Sequence, residues 1–447
     1  MRFFETLKNI WTIQELRHRL LITMLLVFIY RLGCYVVLPG ISASDIEALE
    51  SFTNSSGLMQ LLDMFSGGAF SQASIFALGI MPYITASIVI QLCGMILPSF
   101  QKMQREGESG RQKMNQYTRY LTVLILLMQA PAYLINLQVQ VNSANGALHF
   151  GFWTVAYMTV ILTAGSMFIM WLGERITDRG IGNGISFIIL VGIIARLPQA
   201  LFFEFTTRLP GDGAGQGGLV MFLVEVILLF AVTVCAVLLV QGTRKVPVQY
   251  AKRIVGNRQY GGARQYIPLK VNAAGVMPII FAQAIMFIPM TLAGFRGGDS
   301  GFMLAFTDIN GFWYNAVFFI LIVAFTYFYT AITVRPTQMA EDMKRNNGFI
   351  PGVKPGKKTA EYLDAIMSRI TLPGSIFLGV VAILPAFARF LGINQNFAQF
   401  FGGTSLLIMV GVVLDTLQQV ESHLMMHHYD GLMKEGKIKG RTTGQAY

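Results

Sequence analysis

The chain repeatedly presents apolar stretches of about 20 residues, the length a helix needs to cross the roughly 30 Å hydrocarbon layer of a bilayer. Ten such stretches are read at 20–38, 74–97, 119–138, 153–172, 184–203, 218–241, 272–292, 313–333, 370–390 and 401–422. No water is available at that depth, so the backbone must satisfy its own hydrogen bonds, and the stretches are expected to be spanning helices. Composition agrees: 13% of the 447 residues are charged, against roughly 25% in a soluble domain. This excludes a water-soluble enzyme, a disordered tail and a secreted disulfide scaffold. Cys34, Cys93 and Cys235 lie in or beside apolar runs with no CxxC pair and read as packing residues. The stretch 1–20 is amphipathic and charged, unlike a basic, apolar and small-residue leader, so no cleaved leader is expected.

An even number of spans puts both termini on one side, and the basic residues say which. Starting from the N-terminus, alternate loops hold four Lys/Arg in 1–19, five in 99–119, two in 173–183, seven in 242–271, seven in 334–369 and four in the tail. The other five, Arg31, Arg196, Arg208, Arg296 and Arg389, lie on or toward the opposite side. Basic residues in short loops stay on the cytoplasmic side, so both termini are expected there. The same bias carries the formal net charge of +11.

Two of these loops are long enough to do more. The stretch 242–270 interleaves basic residues with aromatic and β-branched ones and reads as a short β-hairpin or a projecting lobe. The stretch 334–369 holds Pro336 and then FIPGVKPGKKTAEYLD, two Pro-Gly turns before a helical start. Such basic patches suit an RNA phosphate backbone or an acidic protein face. Topology control alone accounts for the charges equally well.

Breaks in the pattern are informative. GLMQLLDMFSGG at 57–68 is a short amphipathic stretch without Lys or Arg, closed by Gly67-Gly68, and the following span is expected to begin near Ser74. It is either a half-helix hidden in protein or beside a watery cavity, or a surface helix in the outer interface. Ten spans split five and five, at 1–203 and 204–422 with a tail at 423–447, which is compatible with inverted repeats. No convincing sequence self-similarity supports that split.

The interior lacks the marks of an enzyme or a pump. Arg31, Glu225 and Asp415 are the main ionisable residues at membrane depth, and all lie away from a span centre, where snorkelling or pairing is cheap. No GxxxxGK[ST] phosphate loop and no mid-span Ser-His pair occurs, and no cofactor is expected. His423 and His427, with Glu421 or His428 nearby, have metal-compatible spacing, but charged His at a helix C-terminus explains them more simply. An ion-coupled transporter would need charged or carbonyl-rich midplane sites, and an intramembrane protease a nucleophile beside a base. Instead, Ile80 and Ile84, and again Ile185 and Ile189, share a helix face at i,i+4. Facing apolar rings can close a pore by dewetting; ordinary helix packing has the same spacing. Thr85, Ser87, Gln91, Gln129 and Asn272 are uncharged polar residues in or near spans, where interhelical hydrogen bonding is the default role.

Long ordered segments resemble the SecY family, the central subunit of the bacterial protein-conducting channel. They are MFSGGAFSQASIFALGIMPYITASIVIQL (64–92), EGESGRQKMNQYTRY (106–120), MWLGERITDRGIGNGISFII (170–189), VPVQYAKR (246–253), YIPLKVNAAGVMPIIFA (266–282), FIPGVKPG (349–356) and FGGTSLLIMV (401–410). The resemblance implies an all-α integral membrane fold of ten transmembrane helices, in two inverted five-helix halves around an hourglass pore. It implies a half-helix plug at about 57–73, using Leu58, Leu61, Leu62, Met64, Phe65, Gly67 and Gly68. A pore ring falls on Ile80, Ile84, Ile185, Ile189, Ile280 and Ile408, and a lateral gate on Thr85, Ser87, Gln129 and Asn272.

The two basic loops match those that dock the SecA ATPase and the ribosome, through Arg244, Lys245, Arg253, Arg258 and Lys354. Two departures stand out: Lys354 where many relatives carry Arg, and Asn257 where a second basic residue often precedes Arg258. Lys cannot reproduce the bidentate fork of Arg. The implied partners are SecE and SecG, SecA, the ribosome, signal peptides, nascent chains and membrane lipid; the implied location is the cytoplasmic (inner) membrane.

Overall fold

Apolar runs of hydrocarbon length give helices, and charged or glycine-rich segments give the joints between them. The computed structural model describes residues 13–55, 63–145, 150–208, 218–250, 253–255, 258–260, 264–283, 285–286 and 311–434. Its helices of eight residues or more are α1 (Gln14–Gly33), α2 (Ala43–Ser55), α3 (Met81–Ile96), α4 (Pro98–Arg105), α5 (Glu108–Asn145), α6 (Phe152–Arg179), α7 (Gly184–Arg208) and α8 (Gly218–Gln241), followed after four strands by α9 (Phe312–Thr333), α10 (Pro336–Arg345), α11 (Lys357–Phe390) and α12 (Gly403–Lys434).

Among the described residues, seven helices are long and apolar enough to cross a membrane, those beginning at Glu108, Phe152, Gly184, Gly218, Phe312, Lys357 and Gly403. α8 is the most apolar of them and the least buried, as expected of a helix whose solvent is lipid. Pro131, Pro198, Pro373 and Pro385 lie inside α5, α7 and α11. Each removes a main-chain hydrogen bond, which spanning helices tolerate when neighbouring groups satisfy the freed carbonyl.

Three expected spans differ. The stretch 20–38 is helical as α1, which starts among charged residues at Gln14 and ends at Gly33; charge outside the hydrocarbon does not stop a helix. The span expected from Ser74 begins instead at Met81, and 66–80 are turns apart from Ser74, which forms an isolated antiparallel bridge with Val37. Ala73 and Gly79 adopt positive φ (45° and 56°), which breaks a helix, and Pro82 sits in the first turn, where its missing N–H costs nothing. Of 272–292, residues 277–283 and 285–286 are helical and the remaining residues beyond 283 lie outside the described ones.

The chain divides into two compact units, Met1–Arg196 with Val412–Tyr447, and Leu197–Gly411. In the first, α5 packs on α2, α3 and α6. Leu134, Leu137, Val141, Met158 and Leu162 form a core with Phe70, Ala73 and Ala77 from the segment before α3. In the second, α11 packs on α9 and α10 beside a small sheet.

That sheet joins the two basic loops. β1 (Thr243–Tyr250) pairs antiparallel with β4 (Arg264–Lys270), from Thr243 opposite Lys270 to Gln249 opposite Arg264. On its other edge β1 pairs with β5 (Gly348–Phe349), from the second loop. Between β1 and β4, β2 (Arg253–Val255) and β3 (Arg258–Tyr260) form a hairpin. Val246, Val248 and Leu269 pack with Met343, Ile350, Leu363 and Met367. The expected hairpin is present, and the two loops form one lobe with one apolar core.

Candidate functional site

The segment from Asp63 to Gly79 is short of regular structure yet buried, so its polar groups need partners from elsewhere. They find them on three helices of the first unit. From α1, the Tyr30 hydroxyl donates to the Ser66 carbonyl (3.1 Å) and Arg31 Nη1 to the Gly67 carbonyl (2.8 Å). From α5, the Tyr133 hydroxyl donates to the Phe70 carbonyl (3.1 Å). From α7, Arg196 Nη2 donates to Asp63 Oδ2 and to Ser71 Oγ (2.7 Å). Asp63 Oδ1 accepts from the Ser71 N–H at 2.8 Å, and Ser66 Oγ links the Asp63 carbonyl to the Phe70 N–H. Burial holds the Asp63 carboxyl above its ordinary range, an effect that the Arg196 guanidinium and the Ser71 donors offset only in part.

The backbone is pinned too. The Ile75 N–H donates to the Val36 carbonyl (2.9 Å) and the Leu38 N–H to the Ala73 carbonyl (3.0 Å). Phe76 stacks between Tyr30 (6.2 Å) and Phe168 (6.0 Å). A methyl at Gly33 would lie 2.0 Å from the Phe76 ring, so α1 approaches only because Gly33 is bare there. Gly67 has φ +68°, and a methyl on it would lie 2.9 Å from both Arg31 Nη1 and Gly192 Cα.

Of the expected plug residues, Met64, Phe65, Gly67 and Gly68 belong to this buried segment; Leu58, Leu61 and Leu62 lie outside the described residues. Four of the six isoleucines belong to the first unit and two to the second. Ile80 is the N-cap of α3, and the Ile84 N–H donates to its carbonyl (3.1 Å), one turn on. Ile185 and Ile189 are one turn apart on α7, and a methyl at Gly173 of α6 would come within 3.0 Å of Ile185 Cγ1. In the second unit, Ile408 lies one turn before Gly411 and Ile280 one turn after Val276. A methyl at Gly411 would approach Val276 Cγ2 to 3.0 Å.

Among the polar residues, Thr85 Oγ1 donates back to the Met81 carbonyl (3.1 Å) and Ser87 accepts from Gln91 Nε2 (3.4 Å). These bonds stay within α3. Gln129 is exposed, and Asn272 is buried with no partner for its Oδ1 among the described residues. On the basic lobe, Arg244 and Lys245 of β1 and Lys354 are exposed. Arg253 opens β2 opposite Tyr260, and Arg258 opens β3 opposite Val255.

Sequence reasoning missed two ion clusters. One is the Asp63–Arg196 pair. The other, in the second unit, joins Arg208 Nε to Glu204 Oε1 (3.1 Å) and Arg208 Nη2 to Glu225 Oε1 (2.7 Å) and to the Gly392 carbonyl (2.8 Å). Glu204 and Glu225 are fully buried. Glu204 and Arg208, at i,i+4, carry a readable signal; a buried charge must be paired, and Arg196 in an apolar run should have prompted a search for its acid.

The SecY family model matches residues 74–417. Protein translocase subunit SecY of Streptomyces scabiei is 42% identical over 432 residues, covering 94% of this chain and 97% of that one. The same subunit from Chlamydia muridarum (strain MoPn / Nigg) is 40% identical over 454 residues, covering 98% and 99%. Among solved structures, a protein conducting channel is similar with a TM-score of 0.58 at 16% identity, covering 91% of this chain and 92% of that one. Sec61 in the canine ribosome-channel complex from the endoplasmic reticulum is similar with a TM-score of 0.55 at 16% identity, again covering 91% and 92%. The fold is therefore that of a multi-pass protein-conducting channel. The chain belongs to the SecY family, as a channel subunit of the translocase and not an enzyme.

Proposed function

We propose that this chain is the pore-forming subunit that moves unfolded secretory polypeptides across the cytoplasmic (inner) membrane and releases membrane-protein helices sideways into lipid. In this reading ten spans form two inverted halves, 1–203 and 204–422, around an hourglass pore, with both termini and the tail 423–447 cytoplasmic. The observation that carries it is the SecY match across 74–417. The physical need is plain: an extended chain in hydrocarbon leaves each backbone polar group unsatisfied at a cost of several kcal/mol, and an aqueous pore removes that cost.

The parts divide the work. The buried segment 63–73, with 57–62 before it, is the plug that seals the resting channel. Ile80, Ile84, Ile185, Ile189, Ile280 and Ile408 form a soft apolar constriction that grips a passing chain loosely and limits ion flow by dewetting. Thr85, Ser87, Gln129 and Asn272 belong to the lateral gate. A hydrophobic signal peptide opens it by binding the open state more tightly than the closed one; the lone buried Oδ1 of Asn272 supports a residue that changes partners there. SecE and SecG complete the complex. Arg244, Lys245, Arg253, Arg258 and Lys354 dock SecA, which supplies ATP-driven work, or the ribosome, through rRNA phosphates and tunnel-exit proteins. The folding of both basic loops onto one core supports a single docking lobe for both partners.

The test is SecA-driven import of a secretory preprotein into vesicles holding this chain with SecE and SecG. Import that requires both ATP and a functional signal sequence is expected. Its absence with correctly inserted complex, together with no ribosome binding, would overturn the reading.

A further inference from the structure

Of the four tryptophans in the chain, three lie in described residues, and all three sit at the ends of the apolar stretches 153–172 and 313–333 of spanning helices. α6 and α9 begin in the same way. Each is capped by a glycine, Gly151 or Gly311, and opens with Phe-Trp. Phe152 and Trp153 are both 81% exposed, and Phe312 and Trp313 are 78% and 63% exposed. In both pairs the rings meet edge to face, at 5.8 Å and 75° in the first and at 5.9 Å and 77° in the second. Neither indole N–H has a hydrogen-bond partner among the described residues. Toward the C-terminal end of α6, eight residues before Arg179 and just before the charged Glu174 and Arg175, Trp171 is 44% exposed, stacks on Phe168 (5.7 Å) and lies under the Arg175 guanidinium (5.4 Å).

The spacing connects the two ends. Trp153 and Trp171 are 18 residues apart, which is five helical turns at 3.6 residues each, so both rings stand on one face, about 27 Å apart along the axis. Tyr157, Val160, Ala164 and Phe168 fill that face between them, and all are exposed. α9 repeats the stripe at matching offsets from Trp313, with Ile320, Ala324 and Phe328 exposed. An apolar face left bare over this length on a spanning helix suits acyl chains. Indole rings at its ends, each an apolar body with one polar N–H, suit the layer where acyl chains meet headgroups, apolar on one side and wet on the other.

We propose that Trp153, Trp171 and Trp313, with Phe152 and Phe312, are membrane-boundary anchors, and that the Trp153–Trp171 spacing fits the channel to a hydrocarbon layer no thicker than about 27 Å, the axial spacing being shortened across the bilayer by any tilt of the helix. The occupant is phospholipid, held at the headgroup boundary, because amphipathic indole rings end exposed apolar stripes of hydrocarbon length, with the Arg175 guanidinium over the Trp171 ring where a headgroup phosphate would lie. Trp153 and Trp313 mark the outer boundary and Trp171 the inner one. The depth is independent of the channel reading; the side rests on the orientation proposed with it.

The test uses the full chain in phosphatidylcholine vesicles, in variants retaining one tryptophan each, with the others changed to Phe (Trp11→Phe included). Fluorescence quenching is compared between lipids brominated near the headgroup and lipids brominated near the acyl terminus. Each of the three tryptophans is expected to be quenched at least about twofold more by the headgroup-proximal bromines. In lipids with markedly longer acyl chains, Trp153 and Trp171 are expected to lose that preference together. Stronger quenching from the acyl terminus overturns the proposal, as does quenching by aqueous acrylamide but by no brominated lipid. Quenching by neither overturns it as well, since protein would then cover the rings. A sided aqueous quencher reaching Trp153 from the cytoplasmic face would refute the orientation while leaving the depth result standing.

Discussion

Replacing Arg196 by Ala tests whether the buried segment is held shut by charge. The Asp63 side chain is 9% exposed and that of Arg196 20%. In the variant Asp63 keeps the Ser71 N–H at 2.8 Å but loses its counter-charge, and Ser71 Oγ loses its donor. Breaking a buried ion pair from one side costs 3–5 kcal/mol. Because Arg196 keeps a path to water, the lower end applies, about 3 kcal/mol. If that loss falls on the seated state alone, the released state gains about a hundredfold in relative population, at 1.4 kcal/mol per factor of ten.

The assay is ion conductance of the resting complex in a planar bilayer, without substrate. Asp63→Asn is expected to leak less than Arg196→Ala: the new amide oxygen still accepts from Ser71, and the arginine can turn toward water. The double variant Asp63→Asn/Arg196→Gln carries no buried charge and is expected to leak less than Arg196→Ala alone. A correctly inserted Arg196→Ala channel as tight as the parent would refute the reasoning. So would a double variant whose conductance reflects the plain sum of the two single effects, since additivity means the two residues do not act as a pair.

Gly67→Ala should raise resting conductance, because it combines left-handed strain of about 1–2 kcal/mol with a backbone collision at Gly192. Gly107→Ala, at φ +76° with open space around it, carries the strain alone and should leave conductance unchanged; equal effects would remove the collision from the account. Arg208→Gln strands two buried carboxylates and should lower the thermal midpoint in detergent more than Glu225→Gln, with a loss of about 3–5 kcal/mol; the reverse order would contradict the geometry. Arg244→Glu and Lys354→Glu, both at exposed positions, should weaken ribosome binding and lower its salt dependence by about one counterion per charge removed, at unchanged thermal stability. Serine at several of Ile80, Ile84, Ile185, Ile189, Ile280 and Ile408 should raise ion leak and admit defective signal sequences. A tight, selective variant would remove them from the constriction.

What the sequence makes legible is what a solvent dictates. α8 begins and ends where its apolar run does, at 218 and 241, because lipid is its environment along its whole length and hydropathy measures that transfer directly. α1 runs into charged residues and α11 starts 13 residues before its apolar stretch, because water tolerates a helix as readily as a loop. The turns at 66–80 defeat the same reasoning. Their composition is apolar enough for a span, and what forbids one is positive φ at Ala73 and Gly79 together with donors from α1, α5 and α7 that stabilise an irregular backbone. Those donors lie tens to more than a hundred residues away in the chain, so no local window contains them. The basic lobe shows the same limit in milder form: alternation of Val246 and Val248 reveals the hairpin, but the two-residue pairing that brings β5 onto β1 depends on Phe349, 100 residues on from its partner Gln249. The buried acid–base pairs stand between these cases. A lone arginine in an apolar run demands a partner on physical grounds, so Arg196 and Arg208 announce that acids exist; only the fold says that Asp63 and Glu225 are the ones.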